Sequence, residues 1–370
     1  MVRPMSLAIA PLLLGATASA QSINVDFGHA STPYGRPTPY YGASTGKAGV
    51  WNRVGTTSVS GLLRWDGQPT GASLVLNDDQ PGCTNEAFPF LHLDVPATSG
   101  EAEALLDDRY APEQLLAVCT FSGLEPGDYT VDTILSRTTC QHNIEVSVEG
   151  SPDAPIWVGG EWSGAFVEGG NYARHHKTVT DGTLQIRLQC GYIPDYVGLA
   201  GIQLDKGEQT YLGTRLCLGD GTGAPCPCAN SGREGRGCQN SAGTGGAVLF
   251  AAGTTSPDTV VLRASETLPS ALSIFLQGNA SLTPVAYGDG LRCAGGTLRR
   301  LYTKSASDGE VFAPGPGDPS ISDRSAQLGV PIPPDGRRYY QVYYRDANPT
   351  FCAAPQGNTF NATNAVKVDW

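Results

Sequence analysis

Apolar and polar residues alternate with a period of two at several places along this chain, and that pattern limits it to strands more tightly than any other feature. Ile23, Val25 and Phe27 alternate with Asn24 and Asp26, and Ile144, Val146 and Val148 alternate with Glu145, Ser147 and Glu149. Leu184, Ile186 and Leu188 alternate with Gln185 and Arg187. In a strand this spacing turns every second side chain toward a core and the others toward solvent. Turn signals bracket the runs: Pro126-Gly127-Asp128 precedes Tyr129–Leu135, and Asp181-Gly182 precedes Leu184. Only Glu101 to Leu106 carries a helical pattern. Short strands joined by turns, without intervening helices, predict an all-β chain of antiparallel sandwiches rather than βαβ units.

Charge divides the chain in two. From Gln21 to Lys206 there are 22 acidic and 10 basic residues, net −12; from Gly207 to Trp370 there are 13 of each. The shift falls at the polar stretch Asp205 to Gln209, which predicts one β-sandwich domain over 21–206 and a second over 207–370. The second opens with Cys217 to Gly246, a Cys- and Gly-rich stretch too poor in apolar residues to form regular structure unless disulfides order it. Strands are then expected at Ala247–Ala251, Thr259–Ala264, Leu272–Gly278, Thr297–Lys304, Tyr339–Tyr344 and Ala365–Asp369, with a long loop from Asp308 to Pro334. Tyr339 to Tyr344 carries aromatics on both faces, as a central strand would.

Residues 1–20 read as an export signal: Arg3 supplies the positive start, Leu7 to Leu14 the short apolar run, and Ala18-Ser19-Ala20 the small-residue cleavage pattern. The run is shorter than the ~20 apolar residues of a bilayer span, and no later segment reaches that length. The mature chain is expected to be secreted or held at the cell surface. The ten cysteines fit an oxidising compartment. Cys83, Cys119, Cys140 and Cys190 fall before the boundary, and Cys217, Cys226, Cys228, Cys238, Cys293 and Cys352 after it. Even counts on both sides predict disulfides closed within each domain, with Cys140–Cys190 the favoured first pair. Zinc at Cys226-Pro227-Cys228 is disfavoured, because structural sites space their cysteines by two to four residues and pair them with a second such set or with histidines. A net charge of −11 argues against a nucleic-acid partner.

Two resemblances sharpen the picture. Ile23-Asn24-Val25-Asp26-Phe27-Gly28, Tyr41-Gly42-Ala43, Gly49-Val50-Trp51-Asn52, Gly127 to Val131, Val179 to Leu184 and Gly198 to Leu204 together resemble a malectin-like domain over about residues 21–206. That resemblance implies a galactose-binding-like jelly roll whose loop aromatics and an acidic residue hold a glycan at one end of the sandwich. Cys217 to Gly221 with Cys226-Pro227-Cys228, Gly237 to Ser241, Tyr287 to Cys293 and Tyr339 to Asp346 resemble a C-terminal module of secreted bacterial proteins, one that carries no known activity.

Catalytic constellations are scarce. No His-Glu-x-x-His helix or phosphate-cradling glycine loop is present in the sequence. His175 and His176 are adjacent on an expected strand, face opposite sides, and are ill placed to share a metal; a surface or edge role is expected for them. Glu101, Glu103, Asp107, Asp108, Glu161 and Glu168 supply carboxylates, but a glycosidase needs two of them paired across a cleft. Carboxylate and backbone oxygens keep a structural calcium as a weak alternative, although no EF-hand loop supports it, and no other cofactor is expected. Loop aromatics are the stronger lead, because sugar rings pack apolar faces on Tyr and Trp while polar groups meet their hydroxyls. Tyr40, Tyr41, Trp51, Tyr192, Asp195 and Tyr196 lie in Gly/Pro-rich loops and are expected to converge on a neutral or basic glycan. The sequence thus favours an exported, non-catalytic glycan-binding protein. A purely structural or adhesive surface protein and a carbohydrate-active hydrolase are the alternatives.

Overall fold

A computed structural model describes residues 21–28, 35–77, 90–92, 94–95, 97–111, 116–136, 144–190, 198–207, 211–352 and 359–370. The expected signal segment, Cys83, Cys140, Tyr192, Asp195 and Tyr196 lie outside them.

Two sheets are built from residues 23–205. One runs in the order Tyr172–Val179, Gly127–Leu135, Leu199–Asp205, Ile23–Asp26 and Trp51–Arg53, with Asp108–Tyr110 and Phe90–His92 joined beside Leu199–Asp205. The other runs Ile156–Val158, Ile144–Val148, Leu184–Cys190, Leu116–Ser122, Ser73–Asn77 and Ser58–Ser60. The apolar side of the alternation works as expected: Ile23, Val25 and Phe27 from the first sheet meet Ile186, Leu188, Val146 and Phe121 from the second in one core. Asn24 and Asp26, on the opposite face, are buried rather than turned to solvent. Slipping Ile23–Asp26 by one residue would drive Asn24 and Asp26 into that core, so the apolar pattern fixes the register. One pairing departs from the antiparallel expectation, since Ile23–Asp26 and Trp51–Arg53 run parallel.

The second half forms a five-stranded antiparallel sheet in the order Thr214–Leu216, Phe360–Asp369, Arg337–Arg345, Leu272–Gly278 and Arg299–Ser305. A three-stranded sheet (Val248–Ala252, Val261–Ser265, Val311–Ala313) shares its core through Leu249, Leu262, Phe275, Tyr340 and Val342. The strand Arg337–Arg345 is central, with Tyr340 and Tyr344 fully buried. Two features were not foreseen. Ala280–Tyr287 and Gly290–Gly295 form a hairpin, and the expected loop from Asp308 to Pro334 contains both the strand Val311–Ala313 and the helix Ile321–Gln327. Ser320 caps that helix by accepting from the Asp323 N–H, and Ile321 anchors it in the core.

Cys217–Cys293, Cys226–Cys238 and Cys228–Cys352 are disulfides: the second closes the Gly-rich stretch on itself, and the other two tie it to the strand Gly290–Gly295 and to the turn at Cys352. Cys119 corrects the sequence reading. It is an unbonded thiol at the centre of the first core, where burial pushes its pKa up to about 12. Its strand points Ala117, Cys119 and Phe121 inward together, so it packs as a small apolar side chain. Cys190 is buried at the end of Leu184–Cys190, and its expected partner Cys140 lies outside the described residues.

Buried charges join the two halves. Arg36 reaches Glu266 at 3.1 Å and Glu310 at 2.5 Å, and Arg263 reaches the same Glu310 at 2.8 Å. Arg263 also donates to the Gly67 carbonyl, and Arg236, fully buried, donates to the Arg36 carbonyl at 2.9 Å. Burial disfavours the Arg36 charge, yet Glu310 and Glu266 hold its pKa above the ordinary arginine range. Burial likewise opposes ionisation of Glu266, but Arg36, Arg236 and Arg53 keep its carboxyl below the usual value.

Candidate ligand-binding cleft

The face of the seven-stranded sheet turned away from the main core carries Asn24, Asp26, Trp51, Asp132, Ile134, Tyr172 and Gln203, and most of it is covered. The helix Gly100–Leu106 packs Leu105 and Leu106 against Trp51, Ile134 and Ala200 there, in a second apolar cluster. The segment bearing Tyr40 and Tyr41 is pinned to the same face. Gln203 accepts from Ser44 Oγ and from the Thr45 N–H, both at 3.2 Å, and Arg174 donates to the Ser44 carbonyl while gripping Asp132 at 2.7 Å. A third cover is the loop after Ile156–Val158. Buried Asn171 folds this loop by accepting from the Val167 N–H at 2.9 Å and donating to the Ala165 carbonyl at 3.1 Å.

Between these covers and the second half lies an open cleft of about 440 Å³. Its apolar wall is Tyr41, Trp162 and Phe166. The Trp162 and Phe166 rings stand 5.2 Å apart at 70°, and Phe166 is 6.3 Å from Tyr41. Its polar side is Thr38, Ser99, Glu101, Arg215 and Glu234. Glu101 is fixed by the Thr38 N–H, which donates to Oε2 at 2.5 Å, while its Oε1 lies 3.6 Å from Arg236. Burial, reinforced by the Glu101 charge, raises the Tyr41 pKa, so the phenol stays protonated at any physiological pH. Rings beside hydrogen-bonding groups of both kinds suit a polyhydroxylated ligand better than an apolar or strongly ionic one.

The sequence-expected residues are distributed unevenly around this cleft. Tyr40 and Tyr41 both line it. Tyr40 is turned toward the second half, where its hydroxyl donates to the Leu249 carbonyl at 3.0 Å and its ring packs on Tyr211 at 5.0 Å. Trp51 is only 1% exposed and supports the wall from beneath, donating its indole N–H to the Tyr41 carbonyl at 3.0 Å. Tyr192, Asp195 and Tyr196 fall outside the described residues. Trp162 and Phe166 were missed, although they lie between Gly159 and Gly170 and carry the same signal, aromatics in a glycine-rich loop, that singled out Tyr40 and Tyr41. Arg215 and Glu234 were missed because their approach to Tyr41 spans the two halves.

Other candidate chemistry is weak. His175 is fully buried rather than at the surface, and burial lowers its pKa and keeps it neutral. His176 is exposed and meets Asp153 at 3.0 Å. Among the described residues one set of metal-type ligands comes together, Cys228, Asp289 and Cys352, but the two cysteines are bonded to each other. No helix among the described residues is long and apolar enough to cross a membrane.

No family model and no curated protein matches the sequence. Solved structures with some likeness include the Bacillus subtilis protein YXIM, with TM-score 0.27 and 15% identity over 55% of this chain and 45% of that one. The ANX1 ectodomain from Arabidopsis thaliana gives 0.25 and 8% over 95% and 97%, and a Paenibacillus xanthan lyase gives 0.20 and 13% over 77% and 26%. The chain thus spans under half the length of the Bacillus protein. Likenesses at these TM-scores define neither a family nor a ligand.

Proposed function

We propose that this chain is an exported, non-catalytic protein that binds a neutral glycan in the cleft formed by Tyr41, Trp162 and Phe166 opposite Glu101, Arg215 and Glu234. The observation that carries this reading is the juxtaposition of an aromatic wall with donors and acceptors in a 440 Å³ cleft, within the ~300–1,000 Å³ usual for small-ligand sites. The malectin-like patterns in the sequence point the same way, and the three disulfides among the described residues fit an extracellular setting. An acidic polysaccharide is disfavoured, because the first half carries net −12 and repels it within a screening length of about 8–10 Å.

The test is a glycan array followed by calorimetry on the best neutral oligosaccharide. Trp162→Ala removes one stacking partner, worth on the order of 1 kcal/mol, and weakens binding roughly five- to tenfold with the fold unchanged by circular dichroism. Binding to no saccharide at all would instead favour a structural or adhesive surface protein. Release of shortened products would make the chain a hydrolase.

A further inference from the structure

We infer that the cleft selects an uncharged pyranose presenting adjacent hydroxyls, and that the second half supplies its readers, Arg215 and Glu234, across the junction. This deepens the glycan-binding reading and rests on it. The Arg215 guanidinium is held in place without being neutralised. Its Cζ lies 3.9 Å over the Tyr40 ring, and on its other side it fits against Gly235. Gly235 has φ +74°, and a Cβ there would stand 2.3 Å from an Arg215 Nη, so glycine is required both by the backbone and by the space. Stacking fixes the plane of the fork but uses none of its five N–H donors. No hydrogen bond or ion pair among the described residues occupies the Arg215 or Glu234 side chain.

Glu101 also lines the cleft but is already committed: its Oε2 accepts from the Thr38 N–H, and its Oε1, shielded from solvent, lies 3.6 Å from Arg236. The cleft therefore offers one donor-only fork, Arg215, and one uncommitted acceptor-only carboxylate, Glu234. A uronate would satisfy Arg215 but bring a like charge against Glu234. An amino sugar would satisfy Glu234 and oppose Arg215. A hydroxyl both accepts and donates, and two adjacent hydroxyls match the spacing of the guanidinium fork while donating hydrogen bonds to the Glu234 carboxylate. Because the wall comes from one half and the readers from the other, the charged junction through Arg36 and Arg236 serves to hold the two sides at a fixed separation.

The test is calorimetry on the full chain with cellotetraose, maltotetraose and galactotetraose as neutral probes, and trigalacturonate and the glucosamine trimer as charged ones. Wild type is expected to bind at least one neutral probe about tenfold or more tighter than either charged probe. Arg215→Met and Glu234→Gln each weaken that neutral probe by about tenfold, and Glu234→Gln narrows the gap to trigalacturonate. Gly235→Ala, which displaces the guanidinium without touching the ligand, weakens binding as Arg215→Met does. Should Gly235→Ala fail to fold, Glu234→Gln, isosteric and exposed, still decides the matter. Wild-type affinity in Arg215→Met and Glu234→Gln, with loss in Trp162→Ala, overturns this inference and leaves the glycan-binding reading standing. A preference for trigalacturonate or the glucosamine trimer also overturns it, and binding to none of the probes overturns both.

Discussion

Replacing Arg36 with methionine keeps the aliphatic bulk but removes the charge that stands between Glu266 and Glu310. Glu266 is buried and Glu310 partly buried at the junction, with side chains 7% and 15% exposed. Breaking a buried pair by deleting one partner costs about 3–5 kcal/mol, because the other charge remains without compensation. Glu310 keeps Arg263 at 2.8 Å, so the lower end, about 3 kcal/mol at pH 7, is expected. The pH dependence gives a sharper check. In wild type the Glu266 pKa lies below its ordinary value of 4.5, so its favourable contribution is complete above that value and is lost as pH falls through the lower folded one. Without Arg36 burial dominates and the folded pKa rises. The variant therefore recovers stability relative to wild type as pH drops from 7 to about 4. Urea unfolding followed by tryptophan fluorescence at both pH values measures this. A loss under about 1 kcal/mol at pH 7, with no change at pH 4, would refute the view that this network welds the halves.

Two other outcomes follow from buried groups. The Asp107 carboxyl is pushed up to about 6 by burial, against hydrogen bonds from the Val95 N–H and from Thr98. Its contribution is therefore fullest below the unfolded value near 3.8 and is lost as pH rises through 6. Asp107→Asn should flatten that dependence and, with solvent screening discounting the shift, gain on the order of 1 kcal/mol at pH 7 relative to pH 4 in urea midpoints. The Cys119 thiol should resist alkylation in the folded protein and react only after unfolding, and Cys119→Ser should cost about 1–3 kcal/mol by placing a hydroxyl in the apolar core.

Local chemistry made much of the fold legible. The alternation at Ile23, Ile144 and Leu184 marked strands whose inward residues form the first core, and Glu101 to Leu106 marked the helix that ends at Leu106. Leu272–Gly278 was bounded correctly because its apolar run ends in glycine. The hairpin from Ala280 to Gly295 escaped notice because its first strand is largely exposed and carries little apolar alternation. Cys119 was misjudged by counting cysteines, although its position between Ala117 and Phe121 already placed it on a core face. The cleft was half legible. Tyr41 could be singled out from its glycine-rich loop, and Trp162 and Phe166 carried the same signal unread. Arg215 and Glu234 carry no local mark, because contacts between the halves, among them those of Arg36, Tyr40 and Arg236, bring them to the cleft.

The five tryptophans, Trp51, Trp65, Trp157, Trp162 and Trp370, allow one direct test of where a glycan sits. Trp162 lines the cleft and Trp51 supports it, whereas Trp157, 50% exposed, is the rival surface for stacking a sugar. The fully labelled 5-fluorotryptophan protein gives five fluorine resonances, assigned by single Trp→Phe variants, to be followed while a neutral oligosaccharide is titrated in. The Trp162 resonance should shift with saturation, Trp51 should follow weakly, and Trp65, Trp157 and Trp370 should stay in place. A saturable shift at Trp157 with Trp162 unmoved would contradict the cleft as the binding site.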